Sequence, residues 1–161
     1  MKGIFFVSVI HQIGRVKIMS GRKVGQSLSN LEKALGRLEE ALEEDELNSL
    51  YIDGTIQRFE FSIELYWKTL KRLLEVEGIE TKTPRDTLKH AYVVGWLKDE
   101  QSWLQMLRDR NETSHVYNEE KAKQIYENIV GYFPTMKNTF TILKEKYKEY
   151  GSDQSDDRPK H

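Results

Sequence analysis

Gln57-Arg-Phe-Glu-Phe-Ser-Ile-Glu-Leu-Tyr-Trp-Lys-Thr-Leu70 is the stretch on which the fold turns. In and around it, Ile52, Ile56, Phe59, Ile63, Tyr66, Trp67, Leu70, Leu73 and Leu74 trace a broad face at helical spacing. Leu47, Leu50, Tyr51, Phe61 and Leu65 widen that face beyond a single stripe. A helix apolar over so much of its circumference is central to a bundle, or buries a second face in a partner. The pattern predicts a helix from about Glu46 to Glu77, weakened at Gly54 and closed by Gly78. Phe59 and Trp67 are expected in its core rather than as base-stacking platforms.

Outward from this helix the pattern stays helical. Leu28, Leu31, Leu35, Leu38 and Leu42 form one apolar stripe, and Ser29-Asn-Leu-Glu32 has the form of a capping box opening a first helix. A third helix is expected at Thr83-Pro84-Arg85-Asp86, with Thr as N-cap and Pro at the first helical position, continuing through Gly95-Trp96. Asp99 can cap a fourth, carrying Trp103, Leu104, Met106 and Leu107. Asn118 can cap a fifth, with Ile125, Ile129, Met136, Phe140 and Leu143 on one face and Pro134 expected to kink it. No sustained strand alternation follows residue 25. The expected class is all-α: an antiparallel up-and-down four-helix bundle with an additional short helix.

Three segments are expected. Residues 1–24 form a basic and apolar extension, with Lys2, Arg15, Lys17, Arg22 and Lys23 and no acidic residue. They read as a β-like arm, or as sequence upstream of a true start at Met19. The short apolar run Ile4–Ile10 lacks a cleavage site of the kind a signal peptide needs. Residues 25–150 form the bundle. Residues 151–161 are polar and expected to be disordered.

Composition narrows the function. With 161 residues the chain can bury one core, and its net charge of −1 gives no global attraction to nucleic acid, so any RNA contact would be local. The absence of cysteine removes disulfides, thiolate metal sites and a cysteine nucleophile, and fits a cytoplasmic location. No stretch approaches the roughly 20 apolar residues of a membrane span. The histidines stand apart at positions 11, 90, 115 and 161, so no metal site and no cofactor are expected.

Chemistry concentrates in Arg110-Asn-Glu-Thr-Ser-His115-Val-Tyr117. On a helix, Asn111 and His115 share a face, and Arg110, Ser114 and Tyr117 share its neighbour. An imidazole moves protons near neutral pH, and a guanidinium grips a phosphate at two points. Together they have the capacity to cleave RNA without metal, His115 acting on the 2′-hydroxyl or the leaving oxygen while Arg110 steadies the phosphorane. A surface network that merely finishes the helix reads equally from the spacing. Glu60, Glu64 and Lys68 follow at four-residue steps on the second helix. Arg58, Glu60 or Glu64 either orient the Arg110/His115 pair or form an ion-paired ridge beside the core.

Leu31–Leu38, Gln57–Leu70, Thr83–Asp86 and Arg110–Tyr117 resemble, in order and spacing, the HEPN family, and within it the nucleotidyltransferase substrate-binding branch. The resemblance covers about residues 25–147. It implies a HEPN-like homodimeric bundle with the two motifs facing each other, encoded beside a minimal nucleotidyltransferase. It further implies a metal-independent RNase toxin neutralised by that partner in a toxin–antitoxin pair. Arg110 and His115 become the catalytic pair, Asn111 and Ser114 polar support, and Tyr117 the target of adenylylation. The alternative it leaves open is a non-catalytic subunit that binds an RNA or nucleotide substrate and presents it to the partner transferase.

Overall fold

The computed structural model describes residues 2–45, 48–113 and 118–151, with side chains from residue 21 onward. Five α-helices follow in order: α1 Lys2–Leu42, α2 Ser49–Val76, α3 Pro84–Val93, α4 Glu100–Thr113 and α5 Glu119–Lys146, with a 3-10 turn at Lys148–Tyr150. No strand occurs among the described residues. No described helix is long and apolar enough to cross a membrane.

Cross-helix contacts fix the directions. Ser62 Oγ reaches the Ala34 carbonyl and Thr69 Oγ1 that of Ser27, so α1 and α2 are antiparallel. Lys137–Glu39 and Lys144–Glu32 ion pairs set α5 antiparallel to α1. Tyr132 to Asp109 and Lys121 to Glu112 set α4 antiparallel to α5. The four long helices therefore run alternately up and down, and α3 is the additional short one.

α2 is central. Phe59, Ile63, Tyr66, Leu70, Leu73 and Leu74 are wholly buried. Tyr66 packs edge-on against Trp103 of α4, with ring centroids 4.7 Å apart, while its hydroxyl donates to the Met136 carbonyl of α5 at 2.8 Å. One side chain thus ties three helices together. Burial pushes its phenol well above the ordinary value.

Most helix ends follow the local chemistry. Thr83 Oγ1 accepts from the Asp86 amide, Asp99 Oδ1 from that of Ser102, and Asn118 Oδ1 from that of Glu120. Gly78 ends α2 at φ +80°, with Ile79 N donating to the Leu74 carbonyl and Gly78 N to that of Glu75. This is the left-handed closure glycine permits.

Three expectations change. There is no β-like arm and no helix start at Ser29: α1 is continuous from Lys2, so the capping-box residues lie inside it. Nothing there breaks the helix, and the two glycines serve packing instead. The Tyr150 ring lies against Gly21, and a Cβ at Gly25 would collide with the Tyr150 carbonyl oxygen. α2 starts at Ser49, capped by Asn48 accepting from the Tyr51 amide; Glu46 and Leu47 lie outside the described residues. α3 stops at Val93 because Gly95, at φ +86°, closes it as Gly78 closes α2, with Trp96 N donating to the Ala91 carbonyl. Trp96 then folds into the core, 6% exposed. α5 is a single helix from Glu119 to Lys146 with Pro134 inside it.

The widened face of α2 divides. Phe59 is in the core, but Trp67 is only half-buried, and Phe61 and Leu50 are 60% and 78% exposed. Phe61 sits two residues from Phe59 and therefore nearly opposite it on the helix. The polar tail beyond Gly151 lies outside the described residues.

Candidate functional site

Arg110 is placed by the same stripe that buries α4. Trp103, Met106 or Leu107, and Arg110 follow at three- and four-residue steps, so Arg110 lies two turns from Trp103 and faces α2. Since Trp103 packs on Tyr66, the guanidinium arrives beside Glu64, just before Tyr66. Arg110 Nη2 and Glu64 Oε2 are 2.6 Å apart, both partly exposed.

Two more donors converge on that carboxylate. The Trp67 indole donates to the same Oε2 at 3.0 Å, and Lys68 Nζ lies 3.0 Å from Oε1. Partial burial opposes ionisation of Glu64. The Trp67 and Lys68 hydrogen bonds and the Arg110 and Lys68 charges outweigh it, so its pKa is below the ordinary carboxylate value. Arg110 Nη1 also reaches Asn111 Oδ1 at 3.4 Å, and the Arg110 carbonyl accepts from Thr113 Oγ1 at 2.8 Å.

The structure brings together Arg110, Asn111, Glu64 and Lys68. Glu60 is half-buried one turn earlier on α2 and makes no ion pair or hydrogen bond among the described residues. Arg58 does not join them. Its Nη1 donates to the Arg37 carbonyl of α1 at 2.6 Å and lies 3.9 Å from Glu40, because it projects from the other flank of α2. Arg110 and Asn111 lie in the last turn of α4 as described, which reaches Thr113, and Asn118 caps α5. Ser114, His115 and Tyr117 lie outside the described residues.

Asp109 is the residue that sequence reasoning missed. It is 4% exposed, and its carboxylate accepts from Gln105 Nε2 at 2.9 Å, Asn128 Nδ2 at 3.1 Å and the Tyr132 hydroxyl at 2.8 Å. Burial, then the bond to Asp109 and its charge, push the Tyr132 phenol far above its ordinary value. Asp109 clamps the end of α4 to α5 one residue before Arg110. Its signal was an aspartate three residues after Met106, masked by the charged neighbours Arg108 and Arg110. A second tie lies nearby, Lys121 Nζ to Glu112 at 2.8 Å. Both ends of the segment that carries His115 and Tyr117 are therefore anchored.

With this geometry in hand, comparisons place the chain among known proteins. Residues 26–145 match the family described as nucleotidyltransferase substrate binding protein like. A probable ribonuclease HepT of Haemophilus influenzae is 39% identical over 83 residues, 48% of this chain and 57% of the relative, so the match spans little more than half of that protein. A crystal structure of a Thermus thermophilus protein superposes with TM-score 0.67 at 35% identity, covering 71% of this chain and 98% of the other. The extent of the family match, the relative and the shared helical fold agree: the chain belongs to the nucleotidyltransferase substrate-binding-protein-like branch of the HEPN family.

Proposed function

We propose that this chain is a metal-independent endoribonuclease, acting as a homodimer and neutralised by a minimal nucleotidyltransferase. The observation that carries it is Arg110: a partly exposed guanidinium at the end of a clamped helix, oriented by Glu64 and five residues before His115. The similarity to a probable ribonuclease supports it. In the reaction the 2′-oxygen bonds to phosphorus and the bond to the 5′-oxygen breaks. One proton leaves the 2′-hydroxyl and one reaches the 5′-oxygen. His115 from each protomer supplies the two transfers, and Arg110 neutralises charge on the phosphorane. Asn111 and Ser114 are polar support.

The exposed Phe61 and Leu50 supply apolar surface for a second copy. Tyr117 is the residue that the transferase modifies: an adenylyl group there places bulk and negative charge two residues from His115 and obstructs an RNA phosphate. A second reading, a non-catalytic subunit presenting a nucleotide or RNA to the transferase, is favoured by the description of the family itself.

Cleavage of RNA in EDTA by the purified chain, beside Arg110→Ala and His115→Ala, separates the two. The nuclease reading expects cleavage by the wild type alone. Equal residual cleavage by all three refutes it. Mass spectrometry after incubation with the cognate transferase and ATP reads an added AMP on Tyr117; its absence removes the modification step.

A further inference from the structure

Trp67 is out of place as a structural residue. Its predecessor Tyr66 is fully buried and ties three helices, yet Trp67 is half-buried at the surface of α2. Its polar edge is tied down: the indole N–H donates to Glu64 Oε2, the oxygen that also holds the Arg110 guanidinium. The indole nitrogen and the guanidinium are thus one oxygen atom apart in connectivity. The Lys68 ammonium stands 6.0 Å from the indole ring centroid and bonds the other oxygen of Glu64.

The combination has a chemical meaning. A half-buried aromatic ring held by a hydrogen bond loses little further freedom when a flat ligand stacks on its open part. A guanidinium beside it takes a phosphate, and the Lys68 ammonium on the same carboxylate adds a second positive charge nearby. A base sits one sugar away from its phosphate, which suits an aromatic ring fastened beside the phosphate-binding arginine. Stacking is tolerant of sequence because every base has a π-face.

We propose that Trp67 is a stacking platform for the nucleobase adjoining the phosphate held by Arg110, a substrate-positioning residue of the same site. This rests on the ribonuclease reading for the identity of the ligand as RNA. Free nucleotides offer the same base-plus-phosphate chemistry and are the other source to separate. Lys68 supports the platform through Glu64 and by its charge. The local positive groups compensate for a chain that has no overall attraction to RNA.

The test uses the full-length chain, with Trp67→Phe and Trp67→Leu, and three probes. These are a short single-stranded RNA made uncleavable by 2′-deoxy substitution, its abasic counterpart, and ATP. Anisotropy of labelled oligonucleotides gives Kd, and ligand quenching of tryptophan fluorescence that is lost in Trp67→Phe reports the ring, since Trp96 and Trp103 are only 6% and 0% exposed. The expected result is quenching by the base-bearing RNA and about tenfold weaker binding by Trp67→Leu, with Trp67→Phe close to wild type. Abasic RNA should bind all three chains alike. Unchanged affinity of Trp67→Leu for base-bearing RNA overturns the platform, as does an equal loss for abasic RNA. Trp67-dependent binding of ATP without binding of the oligonucleotide overturns the RNA assignment and gives the platform to a nucleotide. Cleavage by wild type in EDTA, measured alongside, tells the two failures apart. If cleavage persists and is lost in Arg110→Ala while Trp67→Leu binds normally, only the platform falls. If wild type binds through Trp67 but never cleaves, only the nuclease reading falls.

Discussion

Glu64→Gln tests the geometry most directly. The carboxylate receives Arg110 at 2.6 Å and the Trp67 indole at 3.0 Å on one oxygen, and Lys68 at 3.0 Å on the other. The glutamine amide keeps one acceptor and turns a donor towards the remaining partners. Exposed ion pairs contribute about 0.2–1 kcal/mol and hydrogen bonds to charged groups about 1.5–3 kcal/mol. A partly exposed carboxylate with three donors falls between, so the loss at pH 7 should be about 1–2 kcal/mol. For a chain of this size each kcal/mol lowers Tm by about 2–4 °C, which calorimetry resolves. The pH dependence gives the sign. The folded-state pKa of Glu64 lies below its ordinary value, so its contribution is present above the ordinary carboxylate range and fades as pH falls through the depressed value. The Tm gap between wild type and Glu64→Gln should therefore be widest near neutrality and narrow in acid. Cleavage should fall about tenfold as the guanidinium loses its rest. Equal melting at pH 7, or a gap that persists unchanged in acid, refutes this account of the carboxylate.

Asp109→Ala removes the buried acceptor shared by the partly buried Asn128 and Tyr132 donors and should cost about 1–3 kcal/mol in a denaturant titration, more than alanine at the exposed Gln57. Gly25→Ala drives a methyl into the Tyr150 carbonyl, so α1 or the 3-10 turn must shift; a loss of about 1–3 kcal/mol is expected, while Gly36→Ala, with open space around it, should stabilise slightly. Phe61→Glu places a charge on the exposed apolar face of α2; if the proposed homodimer uses that face, sedimentation should shift towards monomer, and an unshifted dimer removes that face from the interface.

Why Phe59 and Trp67 part company shows what a sequence displays and what it hides. Both lie on the apolar arc of α2, and periodicity treats them alike. Burial depends on what stands opposite. Phe59 meets Tyr132 of α5 in a stacked pair, whereas the Trp67 ring meets Glu64, Lys68 and solvent. Caps at Thr83, Asp99 and Asn118 were legible because each is a bond between residues two or three positions apart. Ser29 misled for the same reason: a capping box needs a break before it, and only the tertiary contacts of Gly21 and Gly25 with Tyr150 explain glycines that break nothing.

The site itself divides along the same line. The chemical types in Arg110–Tyr117 are written in the chain, but the group that orients Arg110 lies 46 residues upstream. The clamp on Asp109 comes from residues 19 and 23 positions downstream. What positions Arg110 is the crossing of α4 on α2 at Trp103 and Tyr66, an apolar contact whose by-product is the approach of Arg110 to Glu64. Packing sets the register, and the register then decides which charges meet. It follows that a repacking change at Trp103, remote from any phosphate, should disturb the Arg110–Glu64 pair as surely as a change in either charge. The buried indole nitrogen of Trp103 has no partner among the described residues, so its position rests on ring packing alone.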